Sequence, residues 1–91
     1  MWDQKSADEL IPKRMQGGLK RYIEEGVTPG GFLVAVLENN LKEAFGRADQ
    51  ENQLIIRNYV EFLYNFAPGA CWGSVEKVTN WIEKFSSRTA S

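Results

Sequence analysis

The sequence contains no histidine. This absence excludes Ser-His-Asp and Cys-His catalysis, metal sites built on imidazole, and pH switches that depend on histidine titration. An excess of one charge sign is also missing, since eleven Lys and Arg residues stand against twelve Asp and Glu residues, for a net charge of −1. The whole chain therefore has neither the positive field of a typical nucleic-acid-binding protein nor the dense negative field of a DNA mimic.

Cysteine occurs once, and long apolar runs do not occur. Cys71 has no second cysteine to pair with, and the first residues lack the basic and apolar regions of a signal peptide. The apolar run over 32–37 ends at Glu38, far short of the roughly 18 to 20 residues of a transmembrane helix. We therefore expect a cytoplasmic protein with no membrane partner. Because no base accompanies Cys71, we interpret it as a buried packing residue beside Trp72.

Helical periodicity is the main signal that the sequence does carry. Apolar residues recur at the spacing of one helical face in four segments, and no useful length of sequence alternates like a strand. The segments are 11–25, 30–48, 54–66 and 75–85. Gly26 is placed to end the first helix, and Thr28, Asp49 and Ser74 are placed to cap later ones. The pattern predicts an all-α fold, a compact bundle of about four short helices.

The length of the chain limits it to one core. Ninety-one residues bury only about 60 to 65% of their unfolded surface, too little to divide between two domains. An apolar share of 43% and a charged share of 25% are ordinary for a globular protein. We expect an N-terminal arm over residues 1–10, a single helical domain over 11–85 and a flexible tail over 86–91.

The remaining polar residues offer little catalytic chemistry. The paired carboxylates lie on predicted polar faces or caps, where nothing supplies the burial that would tune their pKa values. The glycine pairs at 17–18 and 30–31 do not extend into a phosphate-binding loop. We therefore expect no metal, no cofactor and no enzymatic activity.

Four cations fall on the outer face of the first predicted helix. At roughly 100° per residue they lie within an arc of about 120°, opposite the apolar stripe. They are Lys13, Arg14, Lys20 and Arg21. A solvated helix face, a protein contact and a nucleic-acid contact each remain open as interpretations, although Glu24 intrudes on the same arc.

The middle and end of the chain resemble a family of small uncharacterised proteins encoded by phages, prophages and other mobile elements. The resemblance covers about two-thirds of the chain and is most distinctive in Tyr-Asn-x-Ala-Pro followed by Cys-Trp-Gly-Ser. The residues that carry it are 28–33, 35–44, 46–49, 63–68, 71–74, Val78 and Trp81. It implies an accessory role in the cytoplasm of an infected or lysogenic bacterium and brings no established activity. This sequence departs from the commoner pattern at Asn40, where an acidic residue is usual, and at Phe66, where a smaller or acidic residue is usual.

A polar set in these segments, together with surplus aromatic residues, is the predicted protein-binding site. Trp2, Tyr64 and Trp72 are the aromatic residues that a helical stripe explains least. The candidate binding residues are Asn39, Asn40, Glu43, Arg47, Asn65 and Trp72. Their alternative role is a network of caps and ion pairs between helix ends.

We therefore expect a non-catalytic protein-binding module that acts on a bacterial or phage protein, with antagonism of a host or defence protein as one form of that action. A homodimer through the second or third helix is a further expectation. The alternative function is a nucleic-acid-binding accessory or regulatory protein that uses the basic face of the first helix.

Overall fold

The computed structural model describes residues 2–90, with side chains over 2–86, and these residues form an all-helical globule. The all-α prediction is confirmed, but the predicted number of about four helices is too low. Within the described chain there are seven helices and one 3-10 turn: α1 (Gln4–Leu10), α2 (Lys13–Glu25), α3 (Gly31–Leu37), α4 (Leu41–Arg47), α5 (Gln50–Leu54), α6 (Ile56–Phe66), the 3-10 turn (Gly69–Cys71) and α7 (Val75–Ala90).

Helix α1 lies in the segment expected as an N-terminal arm. The Asp3 carboxylate caps it by accepting a hydrogen bond from the Ser6 N–H at 3.1 Å, and Ala7 is fully buried. Trp2 packs against Phe62 of α6 with a ring-centroid distance of 5.0 Å. This segment is therefore part of the packed structure.

Helix α2 follows the predicted pattern closely. It begins directly after Pro12, and Gly26 ends it in the left-handed conformation, as predicted. Its buried face includes Tyr22, whose hydroxyl donates to the Cys71 carbonyl at 2.6 Å. The Trp81 indole donates to the Tyr22 carbonyl at 3.0 Å. These two bonds join α2 to the 3-10 turn and to α7.

The single helix predicted over 30–48 is wrong, because the chain breaks after Leu37. Asn39 adopts a left-handed φ of 62°, and the Asn40 side chain then caps α4. Helices α3 and α4 consequently pack against each other as a short hairpin. The predicted Thr28 cap is also wrong, since α3 begins at Gly31 with Gly30 in the cap position and no side-chain cap bond.

The predicted caps at Asp49 and Ser74 are confirmed. The Asp49 carboxylate accepts from the Asn52 N–H at 2.9 Å and starts the short helix α5. The Ser74 hydroxyl accepts from the Lys77 N–H at 3.1 Å at the start of α7. Helix α7 continues to Ala90, through most of the predicted tail, and Ser91 lies outside the described residues.

Candidate functional site

The structure separates the predicted binding residues onto two grooves. Asn40, Glu43 and Arg47 line a polar groove of about 440 Å³ beside the start of α3. Asn39 and Trp72 line a second groove of about 500 Å³ beside α6. Asn65 lines neither of these grooves; its amide donates to the Glu61 carbonyl one turn earlier in α6, at 2.9 Å. The six residues therefore do not form one site.

The polar groove is built largely from interactions within α4. The Asn40 amide oxygen accepts from the Glu43 N–H at 3.1 Å, and Arg47 Nε pairs with Glu43 Oε2 at 3.0 Å. The Glu43 and Arg47 side chains are both more than half exposed, so this pair contributes little to stability. Arg47 also crosses Gly31, where an added methyl group would lie 3.1 Å from Nη1. Capping and helix pairing account for these three side chains.

The second groove runs along one side of α6 and joins a small hollow of about 40 Å³ through three shared residues, Val36, Asn39 and Val60. We call the groove and this hollow together the apolar groove. Together the two hollows are lined by Ala35, Val36, Asn39, Asn40, Leu41, Ala44, Ile56, Val60, Tyr64, Ala67, Gly69, Trp72, Gly73 and Lys77. One wall is α6, and the other is formed by the α3–α4 junction and the loop before α7.

Several large apolar side chains of this groove are open to solvent. Tyr64 is 78% exposed, Leu41 is 69% exposed and Val60 is 43% exposed. Trp72 is half-buried in the opposite wall. A continuous apolar hollow of this kind on a small protein is typical of an interaction surface.

The sequence pattern predicts only part of the apolar groove. Trp72, Tyr64 and Asn39 are among the residues it marks, whereas Leu41 and Val60 lie within the segments 30–48 and 54–66 with no sign of a surface role. The signal for the groove was the spacing of Ile56, Val60 and Tyr64, four residues apart along α6. This second apolar line lies beside the buried line that contains Tyr59 and Phe62.

The basic face of the first predicted helix is divided by an ion-pair network. The Arg14 guanidinium donates to Asp49 at 2.7 Å and to Glu51 at 2.8 Å, and hydrogen bonds to Glu51 and Asp49 raise the pKa of Arg14. The positive charge of Arg14 is thus compensated by two carboxylates, those of Glu51 in α5 and of its N-cap residue Asp49. Lys13, Lys20 and Arg21 remain exposed on α2, with the Arg21 guanidinium lying over Gly17.

Burial and hydrogen bonding shift the pKa values of several titratable groups among the described residues. Cys71 is fully buried, as predicted, and burial raises the pKa of its thiol to about 11. Hydrogen bonds lower the pKa of the Asp8 and Asp49 carboxyls. Over residues 2–86, whose side chains the structure describes, no group of three or more Cys, Asp or Glu side chains is placed to hold a metal ion.

Two further findings bear on function. None of the helices in the described chain has the length and apolar character needed to cross a bilayer. Comparison of the sequence with protein-family models, with curated proteins and with solved structures found no match. The site's own geometry therefore carries the functional argument.

Proposed function

We propose that this protein is a small phage-type accessory protein that works as a non-catalytic protein-binding module. Its partner is a bacterial or phage protein, and its action is to occupy a surface of that partner, as an antagonist of a host or defence protein does. The observation that carries this proposal is the apolar groove, along which Val60, Tyr64 and Leu41 are exposed around one continuous hollow.

The groove has the composition of a protein-docking surface. Aromatic residues at its wider end, Tyr64 and Trp72, offer large rigid contact areas at low conformational cost. The Gly73 N–H donates to the Leu37 carbonyl at 2.7 Å, which fixes the wall that carries Trp72 to the end of α3. A preorganised wall of this kind lowers the entropic cost of binding.

The lining also indicates the chemistry of the partner segment. Lys77 is the one charged side chain among the described residues that line the groove. Its ammonium group donates to the Gly69 carbonyl at 3.3 Å and has further donors for a ligand. A partner segment with apolar side chains at helical spacing and a carboxylate beside Lys77 would complement this surface.

Nucleic-acid binding is the weaker of the two expected functions. The Arg14 charge is paired with Asp49 and Glu51, so the cationic face of α2 is smaller than its sequence indicates. The net charge of −1 adds no long-range attraction to phosphates. The resemblance to mobile-element proteins supports a bacterial or phage partner and does not favour either class of ligand.

Affinity capture with matched baits tests the proposal. Tagged wild-type protein, Tyr64→Glu and Leu54→Glu are used on lysate of the bacterial host. Both substituted residues are highly exposed, at 78% and 81%, but only Tyr64 lines the apolar groove. We expect one protein to be retained by wild-type and Leu54→Glu baits and lost from the Tyr64→Glu bait. The purified pair should then titrate to a fixed stoichiometry.

Capture that is equal for all three baits, or the lack of any stoichiometric partner, would contradict the proposal. Circular dichroism of each bait is the control for folding. Both substitutions add one glutamate at an exposed position. A difference in capture between the Tyr64→Glu and Leu54→Glu baits therefore cannot come from the change in net charge alone.

A further inference from the structure

We propose that, in the absence of its partner, a second copy of this chain covers the apolar groove. The two copies pack through α6 in an antiparallel arrangement, with a two-fold axis that crosses the pair at the level between Tyr59 and Val60. The claim that this pairing regulates the groove rests on the proposed function, whereas the pairing itself does not.

The apolar residues of α6 supply a continuous strip for such a pair. Ile56, Val60 and Tyr64 are spaced four residues apart, so they form one line about 12 Å long on the helix surface. Leu41 extends the apolar surface beside Ile56. In an antiparallel pair, Val60 meets its own copy and Ile56 meets Tyr64 of the other copy. A two-fold contact of this kind buries the same strip on both copies.

The charged residues beside this strip have opposite signs and can pair with those of a second copy. Arg57 and Glu61 each follow a strip residue by one position, and at roughly 100° per residue both fall on the same flank of the strip. Over the part of the chain whose side chains are described, neither forms an ion pair with another residue. Both charges are thus available to an external partner.

The order of these charges selects an antiparallel second copy. Reversing one α6 against the other brings Arg57 of each copy beside Glu61 of the other, which gives two opposite-charge pairs. With the axis at the level between Tyr59 and Val60, these two side chains of opposite copies are offset by about 1.5 Å of helix rise, which their length spans. The two Glu61 side chains, in contrast, are about 4.5 Å of rise apart. In a parallel two-fold pair the charged flanks of the two helices would instead lie on opposite sides of the contact, so Arg57 and Glu61 would find no partner in the other copy.

This pairing has a consequence for the proposed function. The second copy covers Val60 and Tyr64, which the bacterial or phage partner also needs. Self-association and partner binding therefore compete, and the free dimer protects an apolar surface until a partner displaces the second copy.

Sedimentation velocity over a concentration series tests the pairing. Wild-type protein should change from monomer to dimer between about 1 and 500 µM, the range in which small interfaces dissociate. Val60→Glu should raise the dimer dissociation constant by at least about tenfold, because it places two carboxylates at the axis. The control Leu54→Glu should leave the dissociation constant unchanged. A wild-type chain that stays monomeric throughout, or a dimer that Val60→Glu does not weaken, would overturn the proposal.

A charge exchange tests the antiparallel register. Arg57→Glu and Glu61→Arg should each weaken the dimer by about tenfold, because each creates two like-charge contacts across the two-fold axis. The double variant Arg57→Glu with Glu61→Arg restores both opposite-charge pairs, and its dissociation constant should return to within about threefold of wild type. A double variant as weak as the single variants would overturn the register. The four positions substituted in the two experiments are exposed: Leu54, Arg57, Val60 and Glu61. Circular dichroism of each variant is the control for folding.

The two proposals fail in different ways. Dimerisation with the expected variant pattern but no captured partner contradicts the proposed function and leaves the pairing intact. Groove-dependent capture by a chain that is monomeric at every concentration contradicts the pairing and leaves the proposed function intact.

Discussion

Gly26 occupies a position that no other residue can take without cost. Its φ of 69° lies in the left-handed region, and a methyl group built there would lie 2.5 to 2.7 Å from carbon atoms of Phe85. Gly26→Ala should therefore lower the free energy of unfolding by about 2 to 4 kcal/mol, since backbone strain and overpacking add. Gly46 provides the matched control, because it lies within α4 with open space around its Cα.

Gly46→Ala should leave stability unchanged or raise it by up to about 1 kcal/mol, because alanine favours the helix. Urea unfolding followed by circular dichroism measures both variants. Equal effects of the two substitutions would show that the contact between position 26 and Phe85 does not constrain the chain.

The buried thiol of Cys71 makes stability depend on alkaline pH. Burial raises its pKa from an ordinary 9.0 to about 11, so the unfolded chain releases this proton at lower pH than the folded chain does. The free energy of unfolding must then fall as pH rises above 9. Between pH 8 and 9.5 the loss from this group should be about 0.8 kcal/mol.

The comparison that isolates the thiol is wild type against Cys71→Ala. The alanine variant is less stable overall, but its stability should fall less between pH 8 and 9.5, because the other titrating groups are common to both proteins. Parallel pH profiles for the two proteins would rule out a raised thiol pKa as the source of the difference.

Two buried amides show where sequence patterns lose information. Gln16 is 7% exposed and Asn52 is 2% exposed, although both side chains are polar. Gln16 donates to the Ile11 carbonyl at 2.9 Å, and Asn52 accepts from the Tyr59 hydroxyl at 2.7 Å. These partners satisfy the buried amides, and a pattern of apolar residues alone does not predict that a polar side chain is buried.

The junction between α3 and α4 depends on two adjacent asparagines with different roles. Asn39 takes the left-handed conformation, which asparagine tolerates better than alanine does. Asn40 caps α4 by accepting from the Glu43 N–H. The chain therefore turns at this point, and α4 folds back beside α3.

Substitutions at this junction should separate these two roles. Asn39→Ala should cost about 1 kcal/mol of stability, whereas Asn39→Gly should change it by less than about 0.5 kcal/mol, because glycine has no left-handed penalty. Asn40→Ala should cost about 1 kcal/mol through loss of the cap. Urea unfolding provides the values. An alanine at position 39 that is as well tolerated as glycine would contradict a conformational role for Asn39.

This junction also explains which elements were predictable. Gly26, Asp49 and Ser74 were identified because each acts within a few residues of its own position. The single helix predicted over 30–48 is wrong because the left-handed Asn39 interrupts it. The residues after Asn39 therefore do not continue the helical face that the earlier residues form. Leu41 and Phe45 lie in the predicted segment 30–48, yet they are 69% and 55% exposed in the structure. The Asn-Asn pair was the available signal for the break.

The apolar groove arises from the assembly of several elements, which is why only part of it was predictable. Tyr64 and Trp72 stood out in the sequence as aromatics that no helical stripe explained. The two residues line one groove because the Gly73 to Leu37 hydrogen bond holds the loop before α7 against the end of α3. That bond joins residues 36 positions apart, and no local pattern encodes it.

The distribution of charge over the molecule yields a final prediction, on nucleic-acid binding. With Arg14 paired to Asp49 and Glu51, three exposed cations remain on the α2 face, within a chain of net charge −1. Affinity for phosphates depends on the number of cations that neutralise them, so a short DNA duplex should bind no more tightly than about 100 µM at physiological salt. Fluorescence anisotropy measures this, with Lys20→Glu and Arg21→Glu combined as the test variant. A submicromolar affinity that falls steeply with salt and is lost in this variant would favour the nucleic-acid function over the protein-binding one. An affinity that is weak in both proteins would contradict nucleic-acid binding through the α2 face.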